Sequence, residues 1–287
     1  MGNRIYRDQL TAYILTSHYF ENALVTLHYY KFGNGPQNML CFHGYGMHGK
    51  QFTLLEPALG SKYTFYGFDL FFHKETKLKD ESLQAVKHQI TKKQLANLIE
   101  EFCKHENIER FSVIGYSMGS HYATAVVEEL GNRVDEYIVA APSSIYPGKL
   151  ITFFSKYKLG NLLLEKLILS EKALIRMLNL SKRLRLIDDV GRNIMYKEIN
   201  TPELRFSLYA CFIYLRMLET NESQLINTLT TQNIRSIFIF GKRDIMYPPT
   251  IGKAFFAKFK QAEIVILDEN HELINQNFVS ALSGLLL

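Results

Sequence analysis

The chain is poor in cysteine. Cys41, Cys103 and Cys211 are odd in number, far apart and form no C-x-x-C pair, so neither a disulfide framework nor a zinc site is indicated. No apolar stretch reaches the 18 residues or so that a membrane-spanning helix needs. The opening Met1-Gly2-Asn3-Arg4-Ile5-Tyr6-Arg7-Asp8 is polar and lacks the apolar core of a secretory signal. Gly2 fits the start of a myristoylation pattern, but Tyr6 stands where Ser or Thr is required. There is no internal repeat, no low-complexity tract and no nucleic-acid-binding module. These absences lead to the expectation of a cytoplasmic protein with no nucleic-acid partner.

What remains has the composition of a soluble globular chain. Its 287 residues, 47% hydrophobic and 21% charged, suffice for one large core with room for an insertion. The net charge of +5 is mild but unevenly placed. Residues 149–198 hold eleven basic and five acidic side chains, which leaves the rest of the chain near neutral. Such a block reads either as a solvated helical face or as an attractor of anionic substrates or a membrane surface.

Short apolar runs suited to strands occur at 12–17, 23–32, 38–42, 63–70, 110–114, 136–141, 234–240 and 262–267. Helical periodicity lies between them, at 51–59, 91–105, 121–130, 251–259 and 278–287. In 91–105, Leu95, Leu98, Ile99 and Phe102 share one face. This alternation predicts an α/β fold, with a parallel sheet covered by helices on both faces. It breaks at 147–219, where only helical periodicity remains and Thr201-Pro202-Glu203 has the form of a helix start. That block is too long for a strand crossover. It reads as a helical lid inserted into one core domain made of 1–146 and 220–287.

The run Gly115-Tyr116-Ser117-Met118-Gly119 has the form G-x-S-x-G. At roughly 7% usage of each residue the pattern arises by chance in about one chain in ten of this size. Its context says more, because a strand precedes it and a helix follows. A serine at so tight a strand-to-helix turn is lifted above the sheet edge, at the positive end of the helix. The glycines keep side chains out of the crowded turn.

A serine hydroxyl needs a base to take its proton, and the base needs an acid to fix its tautomer. Asp244 follows the 234–240 strand in Gly241-Lys242-Arg243-Asp244, and His271 follows the 262–267 strand in Asn270-His271-Glu272. Both stand just past the C-terminal ends of strands, where open α/β sheets build their sites. The rivals are worse placed. Pro142-Ser143-Ser144 offers no acid after the preceding strand, and Asp268 and Glu269 are too near His271. His18, His28 and His105 follow no strand end. A developing oxyanion also needs donors: the amide of Met118, and that of Tyr45 in His43-Gly44-Tyr45-Gly46. His43 reads better as a buried histidine pinning this loop than as a catalytic group.

With these motifs and Asp69-Leu70, the chain resembles the α/β-hydrolase superfamily in its lidded, esterase-like branch, from about residue 38 to 275. The resemblance implies a mostly parallel eight-stranded sheet, a cap after the sixth strand and no cofactor. It departs from the family at Leu70-Phe71-Phe72-His73, commonly Pro-Gly-His-Gly, which predicts a bulkier, more apolar pocket wall. Asn270 also stands where glycine is common before the catalytic histidine.

The expected activity is a serine hydrolase: Ser117 nucleophile, His271 base, Asp244 orienter, acting on an ester or thioester of a small apolar or acyl substrate. A serine in this position argues against dehalogenase or epoxide hydrolase chemistry. The same triad supports carbon–carbon bond hydrolysis, and a ligand-binding protein on this scaffold that turns over slowly or not at all is a third reading. The aromatic residues Tyr146, Phe153, Phe154, Tyr157, Tyr209, Phe212 and Tyr214 read as lid core or as a pocket lining.

Overall fold

The computed structural model describes residues 15–146, 148, 152–154, 157–183, 192–193, 196–197 and 199–287. Its sheet is built around strands whose residues are apolar on both faces. In β6 (Phe111–Tyr116) every residue is buried. Val113 packs into one layer of the core and its neighbour Ile114 into the other. Leu40 and Phe42 of β3 (Gln37–Phe42) likewise face one layer while Met39 and Cys41 face the other. This two-sided burial is why these strands read as continuous apolar runs rather than alternating ones.

The remaining strands are β1 (Thr16–Glu21), β2 (Val25–Phe32), β4 (Tyr63–Phe68), β5 (Lys77–Leu78), β7 (Val134–Ala140), β8 (Arg235–Gly241) and β9 (Glu263–Leu267). They lie in the order β1-β2-β4-β3-β6-β7-β8-β9, with β5 paired to β2. From β4 to β9 along this path all pairings are parallel; β2 runs antiparallel to β1, β4 and β5. Among the described residues the sheet therefore has nine strands where eight were expected. The ninth is the two-residue β5, too short to leave a pattern in the sequence. The first strand also begins later than expected, and residues 12–14 of the expected run lie outside the described residues.

Helices Lys92–His105 and Gly119–Leu130 cover one face, burying Leu98, Phe102, Ala123 and Val126. A capping box between Thr91 and Gln94 starts the first of them. The other face is covered by the 3-10 turn Gly49–Leu55 and the C-terminal helix Gln276–Leu286, through Phe52, Phe278 and Leu282.

Between β7 and β8 the described residues contain no strand. They form helices Lys158–Ile168, Glu171–Arg183 and Pro202–Tyr214 and the 3-10 turn Leu215–Leu218, before Glu222–Thr231 leads to β8. Lys149, Lys156 and Arg185 of the basic block lie outside the described residues. The aromatic residues of this region divide. Tyr209 and Tyr214 are buried, Phe154 packs against the core, and Tyr146, Phe153 and Tyr157 are exposed. Among the described residues no helix is long and apolar enough to cross a membrane.

Candidate active site

Ser117 sits between β6 and helix Gly119–Leu130 with φ 50°, in the left-handed region. For a residue with a side chain this conformation costs about 1–2 kcal/mol. The surroundings hold it there. Its N–H donates to Ala140 O at 2.9 Å. Its carbonyl accepts from the Ser120 N–H (3.0 Å), the Ser120 hydroxyl (2.6 Å) and the Ser143 hydroxyl (2.8 Å). The turn also depends on an absent side chain at position 119: a Cβ there would lie 2.0 Å from Phe42 O.

The Ser117 hydroxyl is 3.2 Å from His271 Nε2, and His271 Nδ1 is 2.8 Å from Asp244 Oδ2. The Asp244 side chain is fully buried and that of His271 is 28% exposed. The second carboxylate oxygen of Asp244 accepts the N–H groups of Met246 (2.8 Å) and Tyr247 (3.0 Å). These bonds fix which oxygen faces the imidazole. The residues expected from β6, β8 and β9 thus converge on one point.

Two tyrosines that sequence reasoning passed over hold the histidine. The Tyr116 hydroxyl donates to His271 O at 2.6 Å, and the rings of Tyr116 and Tyr247 lie 5.5 and 5.6 Å from the imidazole. Tyr116 occupies a variable position of the G-x-S-x-G pattern, so the pattern carries no signal for it. Asn270 shapes the same loop: its side-chain oxygen accepts the Glu272 N–H at 2.8 Å.

The loop carrying Tyr45 is pinned by two histidines. His43 Nε2 accepts the Leu70 N–H at 3.0 Å, so Nδ1 carries the proton and donates to Gly44 O at 2.6 Å. His73 Nε2 accepts the Gly46 N–H at 3.0 Å, and its Nδ1 donates to Phe71 O at 2.9 Å. Burial holds the pKa of both rings below the ordinary histidine value, and the His43–His73 repulsion adds to this at His43. Asp69 is buried beneath, bonded to His28 Nδ1 at 2.7 Å and to the Gly49 N–H at 2.7 Å.

Ser117, Met118 and Tyr45 border a cavity of about 280 Å³. Its far walls are Leu208, Phe212 and Leu215 from the region between β7 and β8, with Met246 and Tyr247 from the loop after β8. Phe71 and Phe72 are not among its lining residues, which corrects the expectation of a bulkier pocket wall. Phe71 instead packs on Tyr122 and Tyr214 at ring distances of 5.8 and 5.6 Å. Among the described residues no group of three His, Cys, Asp or Glu side chains is arranged to hold a metal ion.

Comparison with known proteins agrees with this architecture. The profile of the alpha/beta hydrolase fold matches residues 37–277. Among solved structures, a thioesterase domain from the curacin biosynthetic pathway is similar over 95% of this chain and 99% of its own, with a TM-score of 0.64 and 17% identity. A hydrolase from Pseudomonas aeruginosa PA01 gives a TM-score of 0.67 and 17% identity over 95% of this chain and 97% of its own. A structure from a study of carboxylesterases of the thaumarchaeon Nitrososphaera gargenis gives 0.63 and 16%, covering 94% and 97%. At such identities the likeness shows the fold alone. Comparison of the sequence with curated proteins finds no match. With the family profile spanning all the parallel strands and the loops that carry Ser117, Asp244 and His271, the chain belongs to the α/β-hydrolase family.

Proposed function

We propose that the protein is a serine hydrolase that cleaves an ester or thioester of an apolar acyl group. The observation that carries this reading is the hydrogen-bonded relay Ser117–His271–Asp244, which begins at a strained turn bordering an apolar cavity.

In this mechanism Ser117 Oγ attacks the acyl carbonyl while His271 Nε2 takes its proton. Asp244 holds the imidazole with its proton on Nδ1 and stabilises the imidazolium that forms. The carbonyl oxygen gains negative charge near the positive end of helix Gly119–Leu130, where the Met118 and Tyr45 amides serve as its donors. Collapse of the tetrahedral intermediate expels the alcohol or thiol, which receives the proton from His271. Water, deprotonated by the same histidine, then releases the acid.

The acyl group would lie against Leu208, Phe212 and Leu215. At about 280 Å³ the cavity is small for a ligand site, which favours short or medium acyl chains. Leu208 and Phe212 come from helix Pro202–Tyr214, which supports reading 147–219 as a lid over a core of 1–146 and 220–287. The test is hydrolysis of an aryl-ester series of rising acyl length, with Ser117→Ala beside the wild type. Cleavage by the wild type alone, with an optimum at short or medium length, is expected. Cleavage by neither protein would remove the esterase reading.

A further inference from the structure

Phe72 has φ 63°, a conformation that a bulky aromatic residue avoids. Lys74, two residues on, has φ 48°. The turn supports part of this backbone itself, because the His73 N–H donates to Leu70 O at 3.0 Å and closes a four-residue turn with Phe72 at its third position. Further support comes from helix Pro202–Tyr214. The Ser207 hydroxyl donates to Phe72 O at 2.6 Å, and the Tyr214 and Phe206 rings meet the Phe72 ring edge-on at 5.3 and 6.3 Å.

Between these two residues stands His73, buried, with its imidazole turned towards the loop of Tyr45. Its Nδ1 is committed as a donor to Phe71 O, which leaves Nε2 as the acceptor for the Gly46 N–H. The Tyr45 ring rests edge-on against the same imidazole at 5.5 Å. On the other side of Tyr45, the Gly44 N–H donates to Gln51 Oε1 at 3.0 Å. The Gly44 carbonyl, in the same peptide as the Tyr45 N–H, accepts from His43 Nδ1 at 2.6 Å and from the Met47 N–H at 3.2 Å. The core thus holds one side of Tyr45 through Gly44, and the other side is held through His73 and Phe72 to the helix.

We propose that His73 is a positioning residue for the oxyanion donor, and that Phe72 makes its placement depend on the docking of helix Pro202–Tyr214. The proposal rests on the reading of the Tyr45 amide as an oxyanion donor. Two observations carry it: the unbroken path of contacts from Ser207 to Gly46, and the left-handed Phe72 within that path. When the helix leaves, Phe72 loses the Ser207 hydrogen bond and both aromatic partners, and its left-handed backbone is held only by the turn's own His73 N–H to Leu70 O bond. As that backbone yields, His73 turns with it, and the Gly46 N–H loses its acceptor. The same helix lines the cavity through Leu208 and Phe212. An acyl group that fills the cavity holds the helix down and thereby completes the site, so part of its binding energy is used to assemble the oxyanion hole.

The experiment measures kcat and KM on an aryl ester, the rate of labelling by a serine-directed phosphonate, and the thermal midpoint. The proteins are the wild type, His73→Ala, His73→Gln and Ser207→Ala. His73→Ala is expected to lower kcat and the labelling rate by about 10- to 100-fold with KM within about twofold, since the donor acts on charge that develops in the transition state. His73→Gln, whose amide oxygen reaches the place of Nε2, recovers most of that loss. Ser207→Ala lowers kcat several-fold in the same pattern. A folded His73→Ala that keeps wild-type kcat and labelling, with only its thermal midpoint reduced, overturns the positioning role. Should His73→Ala not fold, a folded His73→Gln whose kcat and labelling rate stay 10-fold or more below the wild type overturns it. Wild-type kcat in Ser207→Ala overturns the link to the helix. A wild type that never reacts with the phosphonate removes the serine-hydrolase reading itself, and the proposal with it.

Discussion

Replacing Asp244 by Asn separates orientation from shape, because the two side chains have the same outline. One carboxylate oxygen accepts the Met246 and Tyr247 N–H groups at 2.8 and 3.0 Å, and the other faces His271 Nδ1 at 2.8 Å. An asparagine must choose which of these its single oxygen serves. Turning its NH₂ towards the two backbone amides would leave two buried N–H groups without acceptors, at about 1–3 kcal/mol each. Turning it towards His271 sacrifices one hydrogen bond, worth about 1 kcal/mol, and that loss is avoided if the imidazole changes tautomer. The amide oxygen therefore stays on Met246 and Tyr247. His271 accepts at Nδ1 and carries its proton on Nε2, pointing at Ser117 Oγ. A protonated Nε2 cannot take the serine's proton. The expected loss in kcat is about 10⁴-fold, equivalent to about 5 kcal/mol of transition-state stabilisation, with a stability change of only about 1 kcal/mol. Steady-state hydrolysis of an aryl ester and urea unfolding of the same preparation measure the two quantities. An Asp244→Asn enzyme keeping a tenth or more of wild-type kcat would refute the assigned role of Asp244.

Other consequences follow from strain, space and burial. Ser117→Gly and Ser117→Ala both abolish hydrolysis, but the glycine variant is expected to be more stable than the alanine variant by about 1 kcal/mol. Glycine relieves a left-handed cost of about 1–2 kcal/mol and gives back part of it in chain entropy; equal urea midpoints would refute the strain. Gly119→Ala drives a Cβ to within 2.0 Å of Phe42 O, and a stability loss of at least about 3 kcal/mol is expected by thermal or urea unfolding. Burial lowers the His121 pKa from 6.5 to about 4, so the unfolded chain binds this proton first as pH falls. The His121 contribution is thus intact above pH 6.5 and lost on acidification towards 4, to a total of roughly 3 kcal/mol. His121→Gln should flatten the decline in urea stability over that window; an unchanged slope would rule His121 out as its source.

The parts of this protein visible in its sequence are those set by two-sided burial and by backbone turns. Strands β3, β6, β7 and β8 show as apolar runs because both of their faces are covered. Ser117, Asp244 and His271 stand out because each follows a strand end. The edge was harder to read: β1 alternates half-buried and exposed residues, and β5 pairs only Lys77 and Leu78 with β2. Helices Leu83–His88 and Glu222–Thr231 passed unnoticed, the first only six residues long. The roles of Tyr116, Ser143 and His73 lie in contacts between distant segments, and a polar side chain in a loop does not announce its partner. Of the seven aromatic residues read as lid core or pocket lining, Phe212 alone is among the residues that line the cavity. Helical periodicity marks which residues are apolar but not whether they face the core, the substrate or solvent.

The most direct test of the central claim is to trap the acyl-enzyme. Brief exposure to an aryl ester, an acid quench and peptide mass spectrometry should place one acyl group on the peptide containing Ser117, with none in Ser117→Ala. An ester that is turned over with no acyl group on Ser117, or with the label on another residue, would contradict the account.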